Sequence, residues 1–183
     1  MVIEMKYLLS LGSNIGDSFE NLKKAISKLE EKSIFIDDCS SVYASSPVDY
    51  LTQSDFLNMA LIAETAYEPA QLLEKLKEIE REMGRVKTIE KGPRNIDLDI
   101  IFWENGTFES ENLTIPHKEA ANRLFVIFPT LEIIDNSEYF RNEKASFHFI
   151  LETGQARFVG QKIEKLYPFK IGEETFGWNE TNQ

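Results

Sequence analysis

Residues Lys91-Gly92-Pro93-Arg94-Asn95-Ile96-Asp97-Leu98-Asp99-Ile100-Ile101-Phe102-Trp103 decide how the rest of the chain is read. Gly92 and Pro93 punctuate a loop, and Arg94 follows them. A β-branched and aromatic run comes next, with apolar and acidic residues in alternation. That period predicts a strand with Ile96, Leu98, Ile100 and Phe102 on one face and Asp97 and Asp99 on the other. Two carboxylates two residues apart on a strand stand roughly 6.5–7 Å from each other along the chain. That spacing suits a pair of hard cations. Mg²⁺ in particular keeps several waters and takes one or two carboxylates together with substrate phosphates. Arg94 supplies the planar, two-pronged donor that a phosphate accepts. Taken alone, Asp97-Leu98-Asp99 also fits an edge strand whose acids face water, but the preceding loop and arginine favour a cation and phosphate site.

Working outward, charge supports the same reading. The chain of 183 residues has a net charge of −11, which argues against a nucleic-acid partner. Between Arg81 and Arg94, however, five basic residues (Arg81, Arg85, Lys87, Lys91 and Arg94) stand against only Glu82 and Glu90. An acidic protein that handles polyphosphate has to build its own positive field, and this window is where it could do so. Elsewhere such a run would read as a solvated basic surface.

Upstream, Val2 to Leu11 is predicted as a strand entering a turn at Gly12-Ser13-Asn14. The Gly-Lys-Ser/Thr ending of a P-loop is absent. Asp17 and Glu20 suggest a capping box for a helix carrying Phe19, Leu22, Ile26 and Leu29 to about Lys32. A strand from Ile34 to Ser45 and a proline-punctuated loop from Ser46 to Ser54 follow. The strand Phe56 to Thr65 places Phe56 and Asn58 on one face and Leu57, Met59 and Leu61 on the other. An aromatic ring beside a carboxamide could stack on and hydrogen-bond a flat heteroaromatic ligand; it could equally be a core ring next to an exposed amide. Pro69 opens a second helix with the stripe Leu72, Leu73, Leu76, Ile79 and Met83, and Gly84 is a natural terminator. Asn105-Gly106 predicts a hairpin turn, with Phe108 opening a short return strand. Pro116-His117, a helical turn through Asn122 and Arg123, and a buried segment from Phe125 to Leu131 complete the readable part. Beyond Tyr139 the pattern does not choose between strand and helix.

The order strand, helix, strand, strand, helix, strand is the ferredoxin-like βαββαβ pattern. We therefore expect an α+β fold, a mainly antiparallel sheet packed with helices in a three-layer α/β/α sandwich. The length suits one domain, residues 1–166, with residues 167–183 as a C-terminal extension. One cysteine, Cys39, excludes an internal disulfide framework and suits a reducing cytoplasm. No apolar run reaches membrane-spanning length, and Glu4 and Lys6 interrupt the N-terminal apolar segment, so neither a signal peptide nor a membrane partner is expected.

From Gly92 to Ile101 the chain resembles the signature of the 6-hydroxymethyl-7,8-dihydropterin pyrophosphokinase family of folate biosynthesis. The resemblance extends to Leu11-Gly12-Ser13-Asn14, Ser46-Pro47, Phe56-Leu57-Asn58, Gly84-Arg85, Pro116-His117 and Asn122-Arg123. These landmarks stand in family order over roughly residues 5 to 135. The resemblance implies pyrophosphate transfer from ATP to the hydroxymethyl group of the dihydropterin, with release of AMP. It implies two Mg²⁺ ions on Asp97 and Asp99, catalytic roles for Arg85, Arg94 and the two aspartates, and ATP contacts from Glu80, Arg85, Lys87, Arg94, His117 and Arg123. Ser46, Pro47, Phe56, Asn58 and Phe125 match the pterin side, and a monomer is expected.

Two departures stand out. Lys91 occupies the place where the family often has an aromatic residue, and Glu90 stands where a second basic residue is expected. The loop from Arg85 to Gly92 is also one residue short. Two other functional classes remain compatible with the residues: a different metal-dependent nucleotide enzyme, which would not need the Phe56, Asn58 and Phe125 set, and a catalytically silent binding paralogue, which would be expected to lose an aspartate or Arg94. All three are present.

Overall fold

Strands β1 (Met5–Ser13) and β4 (Phe56–Thr65) lie at the centre of a computed structural model that describes residues 4–48, 52–85, 92–135 and 137–169. They pair antiparallel along their whole length, with Gly12 opposite Asn58. On the far side of β1 lies β5 (Asp97–Trp103), which puts Asp97 opposite Gly12 and Asp99 opposite Ser10. The other edge of β4 is shared by β2 (Phe35–Cys39) and β3 (Val42–Ser45), and a late strand, β8 (Ile163–Tyr167), pairs with the outer edge of β3. Every pairing is antiparallel. The expected α+β ferredoxin-like core is present, extended by β8.

Helices cover both faces and make the three layers. On one face, α1 (Ser18–Glu31) and α2 (Pro69–Glu82) bury Leu22, Leu29, Leu72, Leu76 and Ile79 against Leu9, Leu11, Met59, Leu61, Leu98 and Ile100. Asp17 caps α1 by accepting from the Glu20 amide at 3.0 Å. Pro69 is pre-shaped for the first turn of α2. Gly84, at φ +79°, ends that helix. There the Arg85 amide donates to the Glu80 carbonyl and the Gly84 amide to that of Arg81, each at 3.0 Å, which sets Arg85 directly over the last turn. On the opposite face, α3 (Leu124–Ile134) and α4 (Arg141–Thr153) pack Val126, Ile127, Ile134 and Phe147 against Leu8, Ala60, Ile62 and Phe102. Among the described residues no helix is long and apolar enough to cross a membrane.

Several elements differ from expectation. β1 runs two residues past Leu11, so Gly12 belongs to the strand and the turn starts later. The strand expected from Ile34 to Ser45 is broken at Ser40-Ser41. Ser40 uses its own hydroxyl as a ladder acceptor, taking the Ala60 amide at 2.9 Å. Phe102 does not share a face with Ile100: the β1–β5 register shifts between Leu8 and Leu9, and the extra residue turns Phe102 toward α4. The Asn105-Gly106 turn forms, with Gly106 bridged to Trp103. Phe108, however, joins a separate two-stranded sheet, β6 (Phe108–Glu109) with β7 (Thr114–Ile115), and does not return along β5. The division expected between residues 166 and 167 falls inside β8. Tyr167 ends that strand, and both it and Phe169 meet Phe19 edge-on, at 5.4 and 5.9 Å between ring centroids.

Candidate active site

The layer formed by α3 and α4 leaves part of its face of the sheet open. Leu8, Ala60 and Ile62 lie beneath it. Farther along the same strands, Ser10, Gly12, Asn58, Asp97 and Asp99 are left as the floor of a cleft of about 240 Å³. The alternation read from the sequence is what brings them together: β1, β4 and β5 each contribute side chains two apart, and the cross-strand register aligns them. Gly12 leaves room at the centre. A Cβ there would stand 3.2 Å from the Asn58 Oδ1 and 3.9 Å from the Phe56 ring.

Positive charge is concentrated beside the aspartates. Arg85 Nη1 pairs with Asp97 Oδ1 at 2.7 Å, and Arg94 pairs with Asp97 through the other oxygen. Arg85 also pairs with Glu80, a carboxylate only 3% exposed. Glu80 in turn accepts the Leu98 amide and Lys77 Nζ, each at 2.9 Å. This residue lies outside the cleft lining and fastens α2, β5 and Arg85 to one another. Arg94 is fixed through its backbone. Its amide donates to Asn14 Oδ1 at 2.9 Å and its carbonyl accepts the Asn14 amide at 3.1 Å. The Asn14 carboxamide nitrogen donates to Gln53 Oε1 and to the Ser54 carbonyl, so one asparagine joins the loops on two sides of the cleft.

The two aspartates have opposite proton affinities. Burial pushes the Asp97 carboxyl up, but Arg94 and Arg85 outweigh it and hold it below the usual range. Burial, with the charge of Asp97 beside it, pushes Asp99 up; Lys77 and His117 oppose this only in part. Asp99 forms no ion pair among the described residues. A part-buried carboxylate with raised proton affinity and a second carboxylate beside it is a donor set that a hard cation would relieve. No cluster of three or more possible metal-binding side chains occurs among the described residues, so substrate oxygens or water would have to complete the shell. The residues therefore fit Mg²⁺ held together with phosphate.

The remaining walls are apolar and amide-bearing. Phe56 and Asn58 stand with Ser45, Ser46 and Pro47 on one side, and Arg123 and Phe125 on the other. Asn58 is 3% exposed and donates to Ser45 Oγ at 2.9 Å, which orients its carboxamide. Arg123 lies 5.7 Å from the Phe125 ring centroid.

Of the residues expected from the sequence, Ser46, Pro47, Phe56, Asn58, Arg85, Arg94, Asp97, Asp99, Arg123 and Phe125 line this cleft. Glu80 and His117 do not line it. His117 is close enough to Asp99 to favour its ionised form, and its Nδ1 accepts the Glu119 amide at 3.2 Å. Lys87 and Lys91 lie outside the described residues. Lys77, Ser10 and Gln53 also line the cleft but were not expected. In the sequence Lys77 reads as one more solvated helix lysine, and only its spacing three residues before Glu80 hints otherwise.

Two carboxylates beneath paired guanidinium groups, next to a ring-and-amide wall, suit a polyphosphate bridged by cations and joined to a flat polar ring. Comparison with known proteins gives the family of the chain. The family model described as 7,8-dihydro-6-hydroxymethylpterin-pyrophosphokinase (HPPK) matches residues 8–135, and the chain belongs to this family. It is 40% identical over 131 residues to the 2-amino-4-hydroxy-6-hydroxymethyldihydropteridine pyrophosphokinase of Bacillus subtilis (strain 168), covering 71% of this chain and 78% of that one. To the bifunctional protein FolKE of Lactococcus lactis subsp. lactis (strain IL1403) it is 46% identical over 177 residues, covering 90% of this chain and 51% of that one. A match of that extent necessarily runs past residue 135. The chain spans 37% and 51% of the two Lactococcus FolKE proteins it matches. Among solved structures, Plasmodium falciparum HPPK-DHPS with pterin and p-hydroxybenzoate superposes with a TM-score of 0.66 at 16% identity, over 91% of this chain and 47% of that one, a likeness of fold.

Proposed function

We propose that this protein transfers the terminal pyrophosphate of ATP to the hydroxymethyl oxygen of 6-hydroxymethyl-7,8-dihydropterin. The observation that carries this reading is the single cleft in which Asp97 and Asp99, Arg85 and Arg94, and the wall of Phe56, Asn58 and Phe125 converge. The hydroxymethyl oxygen attacks the β-phosphorus, the bond from that phosphorus to the α,β-bridging oxygen breaks, and AMP leaves carrying the electron pair. The hydroxyl proton passes to solvent water as the new oxygen–phosphorus bond forms.

Phe56 and Phe125 would hold the pterin ring between them, and the oriented Asn58 amide would match its polar edge. Ser46 and Pro47 would close the same side. Arg85 and Arg94 would face the triphosphate, where charge grows in the transition state, with Arg123 toward the nucleotide. Lys87 and His117 are proposed to add to the nucleotide site, and Glu80 serves it by holding Arg85 and Lys77. Asp97 and Asp99 would hold two Mg²⁺ ions, which when bound would supply Lewis-acid neutralisation of the phosphate charge. We further take the protein to act as a cytoplasmic monomer.

The test is to incubate the protein with Mg²⁺, ATP and 6-hydroxymethyl-7,8-dihydropterin and identify the nucleotide released. AMP with a diphosphorylated pterin is expected. Pterin-dependent ADP would indicate ordinary kinase chemistry, and free pyrophosphate nucleotidyl transfer; either would overturn the proposal.

A further inference from the structure

Arg123 occupies the N-cap position of α3, and this placement is unfavourable in two ways. A guanidinium has no acceptor with which to satisfy the free amides of a first helical turn, and a positive charge there opposes the helix dipole. Arg123 accordingly makes no side-chain cap. The missing acceptor comes from far along the chain. Gln161 Oε1 takes the Leu124 amide at 2.9 Å, while its Nε2 donates to the Asn122 carbonyl at 2.8 Å and more weakly to the Arg157 carbonyl at 3.4 Å. Both peptide groups flanking Arg123 are thereby bridged by one side chain.

The next residue holds the opposite wall. The Lys162 amide donates to Ser46 Oγ at 3.0 Å, and the Ser46 amide donates to the Lys162 carbonyl at 3.1 Å. Two consecutive residues, both beyond residue 135, thus tie the Arg123–Phe125 wall to the Ser45–Pro47 wall just where β8 begins.

We propose that Gln161, acting with the backbone of Lys162, is a positioning residue for the pterin pocket: it caps α3 in place of Arg123 and fixes the gap between the two walls into which the ring inserts. The proposal rests on the reading of that gap as the pterin site. It gives the C-terminal segment a part in substrate binding, and it accounts for how an arginine is kept at a helix N-terminus and left free to face the cleft.

The test compares Gln161→Met, which keeps the length of the side chain and removes both polar contacts, with Gln161→Glu, which restores the acceptor for Leu124. Phe56→Ala is assayed alongside. Gln161→Met should raise the dihydropterin KM by roughly three- to tenfold, the loss expected for one or two hydrogen bonds, with kcat within about twofold of wild type. Gln161→Glu, which keeps the acceptor for Leu124 but turns a carboxylate oxygen toward the Asn122 carbonyl, should recover only part of the loss. If Phe56→Ala weakens pterin binding while Gln161→Met leaves the KM at the wild-type value, the positioning role is overturned and the pterin site stands. If Phe56→Ala has no effect on pterin binding, the pocket reading itself falls and this inference with it. A second measurement on the unaltered protein covers the case in which Gln161→Met does not fold. Dihydropterin with a non-hydrolysable ATP analogue should slow hydrogen exchange at the amides of Leu124 and Lys162, because a clamp that favours the bound state is stabilised by the ligand. Unchanged exchange at both amides would overturn the proposal.

Discussion

Asp97 and Asp99 are neighbours on one strand, yet their surroundings divide them. Asp97 is held ionised by Arg85 and Arg94, while Asp99 forms no ion pair among the described residues and has the charge of Asp97 beside it. Asp97→Asn and Asp99→Asn each remove a charged oxygen while conserving shape. Each should lower kcat by on the order of 10² or more with little change in pterin affinity, the pattern of a group needed for transition-state charge. Steady-state kinetics with calorimetric pterin titration checks this; either variant with near wild-type kcat would contradict the cation site. Arg94→Ala should cost on the order of 10²–10³ in kcat, by analogy with a lost oxyanion donor. Because the Arg94 backbone, not its side chain, makes the bonds to Asn14, the loop should keep its place, and Tm should change little. A large fall in Tm would show that the side chain is structural.

At the scale of elements, Glu132 on α3 binds helix and sheet together. It accepts the Ser41 hydroxyl at 2.7 Å and the Tyr43 hydroxyl at 2.8 Å, and pairs with Lys165 of β8 at 2.8 Å. Burial pushes its carboxyl up, but Lys165, Ser41 and Tyr43 together outweigh that and leave it below the usual glutamate range. Its ionised form is therefore favoured by folding. That contribution is complete above the ordinary glutamate value and is lost as pH falls through the depressed folded value. Glu132→Gln should cost about 1–2 kcal/mol near neutral pH, and the Tm gap from wild type should close on acidification. A gap that is constant or widens as pH falls would exclude an ionised Glu132 as its cause.

For the whole molecule, the consequential feature is that the sheet is completed from the far end of the chain. β8 covers the edge of β3, and Tyr167 and Phe169 reach α1 through Phe19. A chain ending at Gly160 exposes that edge and frees the Ser46 hydroxyl and amide. It should melt several degrees lower than the full chain, and pterin affinity should fall more than ATP affinity. A truncated protein with unchanged Tm and unchanged pterin KM would show that β8 is dispensable for both.

The sequence by itself determined whatever depends on local periodicity and termination. Alternation on β5 set Asp97 and Asp99 against Leu98 and Ile100, and on β4 it set Phe56 and Asn58 against Met59 and Leu61. Asp17, Pro69 and Gly84 marked helix ends through backbone preferences that act over a few residues. Ordered short motifs then supplied the family. The tertiary structure alone decided what rests on pairing between distant segments. The β1–β5 bulge moved Phe102 to the other face, because register is a property of two strands and not of one. Glu80 proved to be a fastening for Arg85 and Lys77, because a buried carboxylate takes whichever donors the packing delivers. The acceptor missing at Arg123 was supplied by Gln161, a bond across 37 residues that no local pattern encodes, since a glutamine side chain carries no signal of its partner until the chain has folded around it.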